Sequence, residues 1–552
     1  MPELSPFTTL DGGALGERSR DTSRPVVLVG FQRQGNLGLG YLASTLRSRG
    51  YSVQVFDVEA SEDEIVEGIK AADPILVGFS LIFQFYIRRF DSLLRRLRAE
   101  GVACHFTMGG HFASLNYQDT LKLVPDLDSV VRFEGELTLL ELVDLLGTGH
   151  DWRHIQGIAY RQGSEFIATP MRPLVPDLDV LPYPERNWEP QKVLGRKAMP
   201  LLASRGCART CSFCSIHMFY RTAPGKMVRT RKPAQVVREM RALHEERGIT
   251  IFLFQDDDFP LFGPVWHRWA NEFVGELHKS ALAGRVIWKM NCRADVVEAA
   301  MFSAMRDAGL YLVYMGLESG SEEGLKTLHK QVTVEQNLRA VEILKQVGLM
   351  FEFGFMLFDP SSTFESVREN VRFLRTIVGD GSAGAVFCRM LPYDGTPIKD
   401  DLERAGRLRG DVCNPSYNFL DPRLDAFYEE LARTVDVTGW VHGYRALSPQ
   451  LNWLWNEIAI LDRLFPQLPG MRTYKGRVRA ITQESNEMLF HVVESLSHVY
   501  SDGAPNTLST SVLQAHCRRW IADLVRERND FIFRHEETLV GALREAAEAQ
   551  VA

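Results

Sequence analysis

The sequence predicts an α/β chain with three successive parts: an N-terminal doubly wound (Rossmann-like) domain, a central partial (β/α)6 barrel and a mostly helical C-terminal domain. Short apolar runs alternate with amphipathic helical stretches from Pro25 to about residue 150, and six further strand-helix units follow between residues 196 and 400. Such alternation is typical of parallel sheets covered by helices. Strand patterns end after about residue 400, which predicts the helical part.

The N-terminal domain is expected over residues 25–150, after an extended or disordered segment at residues 1–24. Val26 to Val29 form its first apolar run, and a glycine-containing segment and an amphipathic helix follow. The same unit recurs, with strands expected at residues 52–56, 75–79 and 105–108 and helices at residues 41–48, 62–71, 90–99 and 137–146.

Residues 151–195 differ in character and are expected to form a linker. Gln162 and Gly163 separate two short apolar runs, which predicts a hairpin, and several prolines follow it.

The barrel is expected over residues 196–400. Its strands are predicted at residues 201–203, 249–254, 286–289, 312–316, 350–357 and 385–390. Cys292 and Cys388 lie on or beside these strands and are expected to be small buried residues. The chemistry of a barrel of this kind lies in the loops after the carboxyl ends of its strands. Residues 401–552 carry no recognisable motif and are a candidate region for substrate selection.

Composition excludes several classes of protein. The chain has 552 residues, 45% of them hydrophobic and 24% charged, with a net charge of -7. These values are typical of folded globular chains rather than fibrous or disordered ones. The sequence contains no long run of lysine or arginine of the kind that binds nucleic acid. It also contains no apolar stretch of the kind that forms a membrane span or a signal peptide. We therefore expect a cytoplasmic protein that binds neither nucleic acid nor membrane.

The sharpest motif is a cluster of three cysteines in a CxxxCxxC pattern directly after the first barrel strand, at Cys207, Cys211 and Cys214. Three thiolates on one loop can bind three irons of a [4Fe-4S] cluster and leave the fourth iron open. A structural zinc site is the alternative, because His217 could supply a fourth ligand. Zinc sites of this kind do not usually lie at the mouth of a barrel strand, so the cluster is favoured.

Further polar segments follow the later barrel strands in order. Asp256, Asp257 and Asp258 come after the second strand, Arg293 after the third, and the segment from Gly316 to Ser321 after the fourth. A Leu-Pro-Tyr-Asp-Gly segment beginning at residue 391 comes after the sixth strand. Because strand ends of a barrel meet at one rim, these groups are expected to lie near the cysteine loop.

With Phe213 preceding the last cysteine, the loop and these segments resemble the radical S-adenosylmethionine (SAM) superfamily. The resemblance implies that Cys207, Cys211 and Cys214 bind the cluster. It also implies that SAM is bound by Phe213, Asp256, Asp257, Arg293, Glu318, Ser319 and Pro392.

The N-terminal domain allows two interpretations. Residues 38–43 match the GxGxxA pattern of dinucleotide-binding domains, but six residues separate Phe31, at the turn after the first strand, from the first glycine, which makes the match weak. The domain also resembles the cobalamin-binding domain that often precedes a radical SAM barrel. That resemblance implies cobalamin contacts by Asn36, Leu37, Gly38, Leu39, Ser80, Leu81, Gly109, Gly110, His111, Glu134, Gly135 and Glu136.

One absence refines this expectation. The DxHxxG motif, whose histidine binds cobalt from below in many cobalamin proteins, does not occur in the sequence. Cobalamin is therefore expected to bind in its base-off form without a lower histidine ligand. His111 is not expected to bind cobalt.

Together these features resemble the cobalamin-dependent radical SAM enzymes, and most closely the class B methyltransferases. The resemblance implies methyl transfer from SAM, through methylcobalamin, to an unactivated carbon of a small-molecule natural product, free or tethered to a carrier protein. It further implies a flavodoxin- or ferredoxin-type electron donor. The catalytic residues are not readable from the sequence. Two alternatives stay open: a related cyclase, oxidoreductase or ring-contraction enzyme without methyl transfer, and a zinc-stabilised nicotinamide-binding protein.

Overall fold

The computed structural model describes residues 22–33, 35–441 and 445–539. The expectation for residues 1–24 therefore falls outside the described residues except at its last three positions.

The N-terminal domain is built on a seven-stranded sheet in the order β2-β1-β3-β4-β5-β6-β7. The first five strands are parallel, and all of them except the edge strand β2 are largely buried between layers of helices. Its strands are β1 (Val26–Gly30), β2 (Val53–Asp57), β3 (Leu76–Ser80), β4 (His105–Gly109), β5 (Ser129–Val131), β6 (Ile158–Gln162) and β7 (Glu165–Ala168), and its helices are α1 (Leu37–Arg47), α2 (Glu62–Ala72), α3 (Ile87–Ala99), α4 (His111–Leu115), α5 (Tyr117–Leu123) and α6 (Glu136–Thr148).

The hairpin that the sequence placed in the linker belongs to this sheet. β6 pairs antiparallel with β5, and β7 pairs antiparallel with β6. Pairing satisfies the backbone groups that β5 would otherwise present at the edge of the sheet. The connection between the two sheets is accordingly shorter than residues 151–195.

The barrel sheet has the order β16-β15-β14-β13-β12-β9-β8, with six parallel strands and an antiparallel edge strand, β8. Its strands are β8 (Gln191–Val193), β9 (Arg196–Leu201), β12 (Ile249–Phe254), β13 (Ile287–Cys292), β14 (Leu310–Glu318), β15 (Met350–Phe358) and β16 (Cys388–Arg389), and a separate pair is formed by β10 (Ser204–Arg205) and β11 (Arg229–Thr230). The helices are α7 (Ser215–Thr222), α8 (Pro233–Arg247), α9 (Gly263–Lys279), α10 (Ala299–Asp307), α11 (Glu322–Thr327), α12 (Val334–Val347), α13 (Phe364–Val378) and α14 (Pro397–Arg404). The partial (β/α) barrel is confirmed.

The largest differences from the predicted strand limits are at the first and the sixth barrel strand. The first ends at Leu201, because the amide of Ala203 donates to Asp256 instead of to a neighbouring strand. The sixth is reduced to two residues, because the amide of Ala385 donates to the side chain of Asn486 in the C-terminal region.

The C-terminal region is mostly helical, as predicted, but it begins with a short hairpin that the sequence pattern did not indicate. The hairpin is β17 (Leu408–Gly410) and β18 (Pro415–Tyr417), and the helices are α15 (Pro422–Val437), α16 (Leu447–Leu464), α17 (Met471–Asp502) and α18 (Thr510–Arg534). Their apolar faces join the same hydrophobic core as the barrel helices. Ala459 and Ile460 of α16 also close the bottom of the concave face of the barrel sheet.

Candidate functional site

A cavity of about 430 Å³ lies where the carboxyl edge of the first sheet faces the rim of the barrel. The N-terminal wall comes from the loops after β1, β3, β4 and β5, and the barrel wall comes from β10, α7 and the segment after β12. Ligands of doubly wound sheets bind outside the carboxyl ends of the strands, where the strand order reverses. Here that reversal lies between β1 and β3. The cavity is therefore in the expected place for a ligand of the N-terminal domain.

The residues predicted to contact cobalamin line this cavity, apart from Leu81, which is fully buried behind it. Gly110 shows why small residues are needed, because its φ is 107° and a Cβ there would lie 2.2 Å from the carbonyl oxygen of Leu81. Gly109, Gly38 and Gly135 also border the cavity and leave the backbone uncovered. Missing side chains let a large flat ligand approach the edge of the sheet.

His111 faces the cavity and its ring lies 4.5 Å from the ring of Phe219. Burial lowers the pKa of His111 to about 4, so the imidazole is neutral at physiological pH. A neutral ring suits contact with an uncharged face of a ligand.

A buried ion network joins the two walls. Arg205 contacts Glu134 at 3.2 Å and Glu136 at 2.6 Å, and Arg229 contacts Glu134 at 2.8 Å. Burial opposes ionisation of Glu134, but Arg205 and Arg229 outweigh it and lower the pKa of that carboxyl. The sequence indicated the two glutamates, whereas the arginines come from β10 and β11 and carried no recognisable signal.

The three cysteines of the CxxxCxxC motif lie on one loop between β10 and α7. Cys211 is buried, and Cys207 and Cys214 are half-buried. Burial raises the pKa of Cys207 to about 12 and that of Cys214 to about 11, so these thiols stay protonated until a metal displaces the proton. Phe213 packs against the barrel core and holds the loop.

Polar groups surround this loop. The guanidinium of Arg293 donates to the sulfur of Cys211 at 3.6 Å and contacts Asp295 at 3.1 Å. A carboxylate oxygen of Asp258 lies 3.9 Å from the sulfur of Cys207. In the described part of the chain, no three His, Cys, Asp or Glu side chains are arranged around a single-ion site.

The three aspartates after β12 have different surroundings. Asp256 is fully buried and accepts hydrogen bonds from Ala203 and Ser204, so it holds the segment that leads into the cysteine loop. Asp257 accepts from the amide of Gly206 and borders the cavity. Burial raises the pKa of Asp256 to about 7 and that of Asp257 and Asp258 to about 6.

Comparison with known proteins agrees with this geometry. The B12 binding domain model matches residues 24–143, and the Radical SAM superfamily model matches residues 201–374. An uncharacterized methyltransferase of Pyrococcus horikoshii is 30% identical over 370 residues, which cover 66% of this chain and 77% of the relative. The anaerobic magnesium-protoporphyrin IX monomethyl ester cyclase of Rubrivivax gelatinosus is 30% identical over 403 residues, which cover 70% of this chain and 68% of that protein.

The chain belongs to the cobalamin-binding radical SAM family. A solved structure of the cobalamin-dependent SAM radical enzyme OxsB, with aqua-cobalamin and SAM bound, has the same fold with a TM-score of 0.65 and 17% identity, covering 96% of this chain and 84% of OxsB. The resemblance predicted from the sequence is confirmed, and the zinc-stabilised nicotinamide-binding alternative is not supported.

The cofactors of this family are cobalamin, SAM and a [4Fe-4S] cluster, and the residues present fit them. Asn36 caps α1 through its side-chain oxygen, while its side-chain nitrogen is buried without a partner in the described structure. That nitrogen borders the glycine-rich cavity, where a side-chain amide of cobalamin could accept from it. At the rim, one oxygen of Asp258 is likewise buried without a partner in the described structure. The cysteine loop supplies the soft thiolates that an iron-sulfur cluster needs.

The predicted SAM residues on β14 show local strain. Glu318 has a φ of 65° and forms an ion pair with Lys330 at 3.0 Å. A residue other than glycine is held in this region only when its surroundings require it, and such strain often marks a site of function. Ser319 is instead fully buried and bonded to Asn370, and Pro392 is buried in the loop after β16. Of these two residues, Glu318 is held in the left-handed conformation, whereas Ser319 is bonded within the barrel.

None of the helices in the ranges that the structure covers is both long and apolar enough to cross a bilayer.

Proposed function

We propose that the chain is a C-methyltransferase that moves a methyl group from SAM, by way of cobalamin, to an unactivated carbon of a small molecule. One observation carries the proposal: the same cavity is bordered by Gly109 and Gly110 of the cobalamin domain and by Gln255 and Asp257 of the barrel rim. A methyl carrier and a radical-generating centre must both reach one substrate carbon, and a shared cavity allows this. The methyltransferase of P. horikoshii supports the same reaction class.

When bound, the cofactors supply hydrogen abstraction and a transferable methyl group, and the chain positions them and excludes water. The ion pairs of Arg205 with Glu134 and Glu136 hold the N-terminal wall of the cavity, called the cobalamin wall from here on, against the barrel wall. Arg293 orients the sulfur of Cys211, and Glu318 is placed to accept hydrogen bonds from ribose hydroxyls of SAM. We further propose that cobalamin binds base-off and that an acidic flavodoxin- or ferredoxin-type protein supplies the electron.

A second candidate function is supported by the relative from R. gelatinosus, which is named as a cyclase. Cyclisation or oxidation on the same scaffold would use the same cofactors without adding a methyl group.

The test begins with anaerobic reconstitution and quantification of iron, sulfide and cobalt on one sample. About four irons and one cobalt per chain are expected. Candidate natural products, free and carrier-bound, are then incubated with SAM and a reductant, and products are analysed by mass. A gain of about 14 Da supports methyl transfer, whereas turnover without that gain supports the cyclase or oxidoreductase function. Iron without cobalt, despite added cobalamin, contradicts the methyltransferase proposal.

A further inference from the structure

A polar layer lines the concave face of the barrel sheet. Its floor is apolar and is formed by Ile251 and Ile287 packed against α16. Above this floor lie Lys289 of β13, Tyr314 of β14 and Glu352 of β15. The layer therefore lies between the closed bottom of the barrel and the rim that carries the cysteine loop.

Strand alternation fixes these side chains on the same face. Their neighbours in sequence, such as Trp288, Met315 and Phe351, belong to the core under the barrel helices on the other face. Tyr314 is the direct strand partner of Glu352 and of Asn291, so the layer crosses three adjacent strands. Side chains on alternate positions of neighbouring strands point to the same side of a sheet.

This face borders open space. Tyr314 exposes 38% of its surface although it lies on a central strand, and Cys388 on β16 is exposed, contrary to the expectation that it is buried. Gly316 and Gly354, which are strand partners, add no side chains of their own above the layer, although the charged ends of Glu318 and Lys330 lie over Gly316, within 2.7 Å of where its Cβ would be. A Cβ on Gly354 would lie 2.8 Å from the hydroxyl of Tyr314, so the glycine leaves the space that this hydroxyl occupies.

The layer contains two opposite charges that are not neutralised by close partners. In the described ranges, neither Lys289 nor Glu352 forms a hydrogen bond or a close ion pair. Burial raises the pKa of Glu352, and Lys289 only partly offsets this effect from a distance. By contrast, Glu318 at the rim is paired with Lys330. Half-buried charges without partners are costly, so a ligand that pairs with both would be favoured.

We propose that this layer is the substrate subsite of the proposed methyltransferase and that it binds a zwitterionic substrate, with an acidic group at Lys289 and a protonated amine at Glu352. The statement that this ligand is the substrate rests on the proposed function. β13 and β15 are separated by one strand, so the two backbones lie roughly 10 Å apart. The long side chains of lysine and glutamate shorten this distance to the spacing of an amino-acid head group. Tyr314 lies between them and can donate to the acidic group.

The test uses the reconstituted holoenzyme with an oxidised cluster and saturating SAM, so that the amino-acid end of SAM fills its own site. Three probes share a phenyl ring: L-phenylalanine carries both charges, 3-phenylpropionate carries only the acid, and 2-phenylethylamine carries only the amine. Their affinities are measured by saturation-transfer NMR. We expect L-phenylalanine to bind at least about tenfold more tightly than either singly charged probe.

Two variants assign the charges. Lys289→Met should reduce the affinity for L-phenylalanine to that for 2-phenylethylamine, and Glu352→Gln should reduce it to that for 3-phenylpropionate. Lys279→Met, which removes an exposed lysine at the end of α9, is the matched control and should change nothing.

Equal binding of the three probes, no binding of L-phenylalanine at millimolar concentration, or an equal effect of Lys279→Met would overturn the inference. Its failure is distinguishable from failure of the proposed function. Methylation of a neutral substrate would contradict the zwitterion subsite alone, whereas charge-dependent binding without methylation in the product assay would contradict the methyltransferase alone.

Discussion

The two walls of the central cavity are built in different ways. The cobalamin wall is shaped by missing side chains, with Gly109 and Gly110 exposing backbone and a neutral His111 beside them. The barrel wall carries charge, with the buried Arg205 and the exposed Asp257 both facing the cavity. The difference shows that one wall is adapted to the shape of a large ligand, while the other orders charged groups near a reactive centre. The two walls should therefore respond differently to mutation and to pH.

The largest expected effect is the loss of the iron-sulfur cluster from the barrel while cobalamin binding by the other wall persists. Replacing Cys207, Cys211 and Cys214 together by Ala should reduce bound iron from about four atoms per chain to none, because the thiolates are the only soft ligands on the loop. Cobalamin uptake should persist, since its wall belongs to the other domain. Iron, sulfide and cobalt analysis checks this, with Ala at Cys104, Cys413 and Cys517 as the control. Cluster binding by the triple variant would contradict the assignment.

The second prediction breaks the connection between the walls. Glu134→Gln leaves the buried Arg229 with a neutral partner, while Arg205 keeps Glu136, and this should cost about 3–5 kcal/mol of stability. Calorimetry should show the Glu134→Gln protein unfolding at a lower temperature than the unsubstituted protein.

The matched control is Glu141→Gln, which removes a partly exposed ion pair with Arg172 in the same domain. Exposed pairs contribute about 0–1 kcal/mol, so little change is expected. Equal effects of the two substitutions would show that the Glu134 network does not hold the walls together.

How much could be predicted from the sequence also differs between the walls. The cobalamin wall follows from local signals, because glycines such as Gly109 and Gly110 directly after an apolar run mark the carboxyl edge of a strand. All the predicted cobalamin residues except Leu81 border the cavity. The cysteine loop is equally local. Most strands of the two sheets were predicted because they are short apolar runs, whereas the short strands β5 and β8 were not predicted.

The remaining features depend on contacts that are distant in sequence. Arg205 meets Glu136 across 69 residues, and no local pattern reports that pairing. The polar layer of Lys289, Tyr314 and Glu352 exists only through strand register. Asp256, a predicted SAM contact, also accepts hydrogen bonds from Ala203 and Ser204, which lie more than fifty positions earlier in the chain. The strand at 385–390 was shortened because Asn486 binds the amide of Ala385.

The third prediction sharpens the contrast through pH. The pKa of His111 is lowered to about 4, so its contribution to stability is lost as the pH falls from about 6.5 to 4. The pKa of Asp256 is raised to about 7, so its contribution is lost as the pH rises from about 3.8 through 7. Between pH 4 and 6.5 the two groups change the free energy of unfolding in opposite directions, each by about 1.4 kcal/mol per pH unit.

His111→Gln should therefore make the cofactor-free protein lose stability more steeply with rising pH, and Asp256→Asn should do the opposite. Unfolding measured at several pH values gives the slopes, and the other titrating groups cancel when each variant is compared with the unsubstituted protein. Equal slopes of the free energy of unfolding against pH in all three proteins would mean that His111 and Asp256 do not titrate as their shifted pKa values predict.

The prediction with the smallest expected effect tests whether the lack of side chains at glycines shapes the cobalamin wall. Gly38 lies in α1 at the cavity, and its added Cβ would lie 3.1 Å from the side-chain oxygen of Asn36. Gly275 lies in α9, and nothing lies within 4 Å of an added Cβ. Alanine at Gly275 should stabilise its helix by up to about 1 kcal/mol, whereas at Gly38 the tight contact with the oxygen that caps α1 should offset this gain. Only Gly38→Ala should weaken cobalamin binding, by up to about tenfold, because its methyl group occupies space that the ligand needs. Cobalamin titration followed by absorbance distinguishes the two variants. Unchanged affinity in Gly38→Ala would mean that the cofactor does not approach the start of α1, and the contrast between the walls would then rest on the segments after β3, β4 and β5 alone.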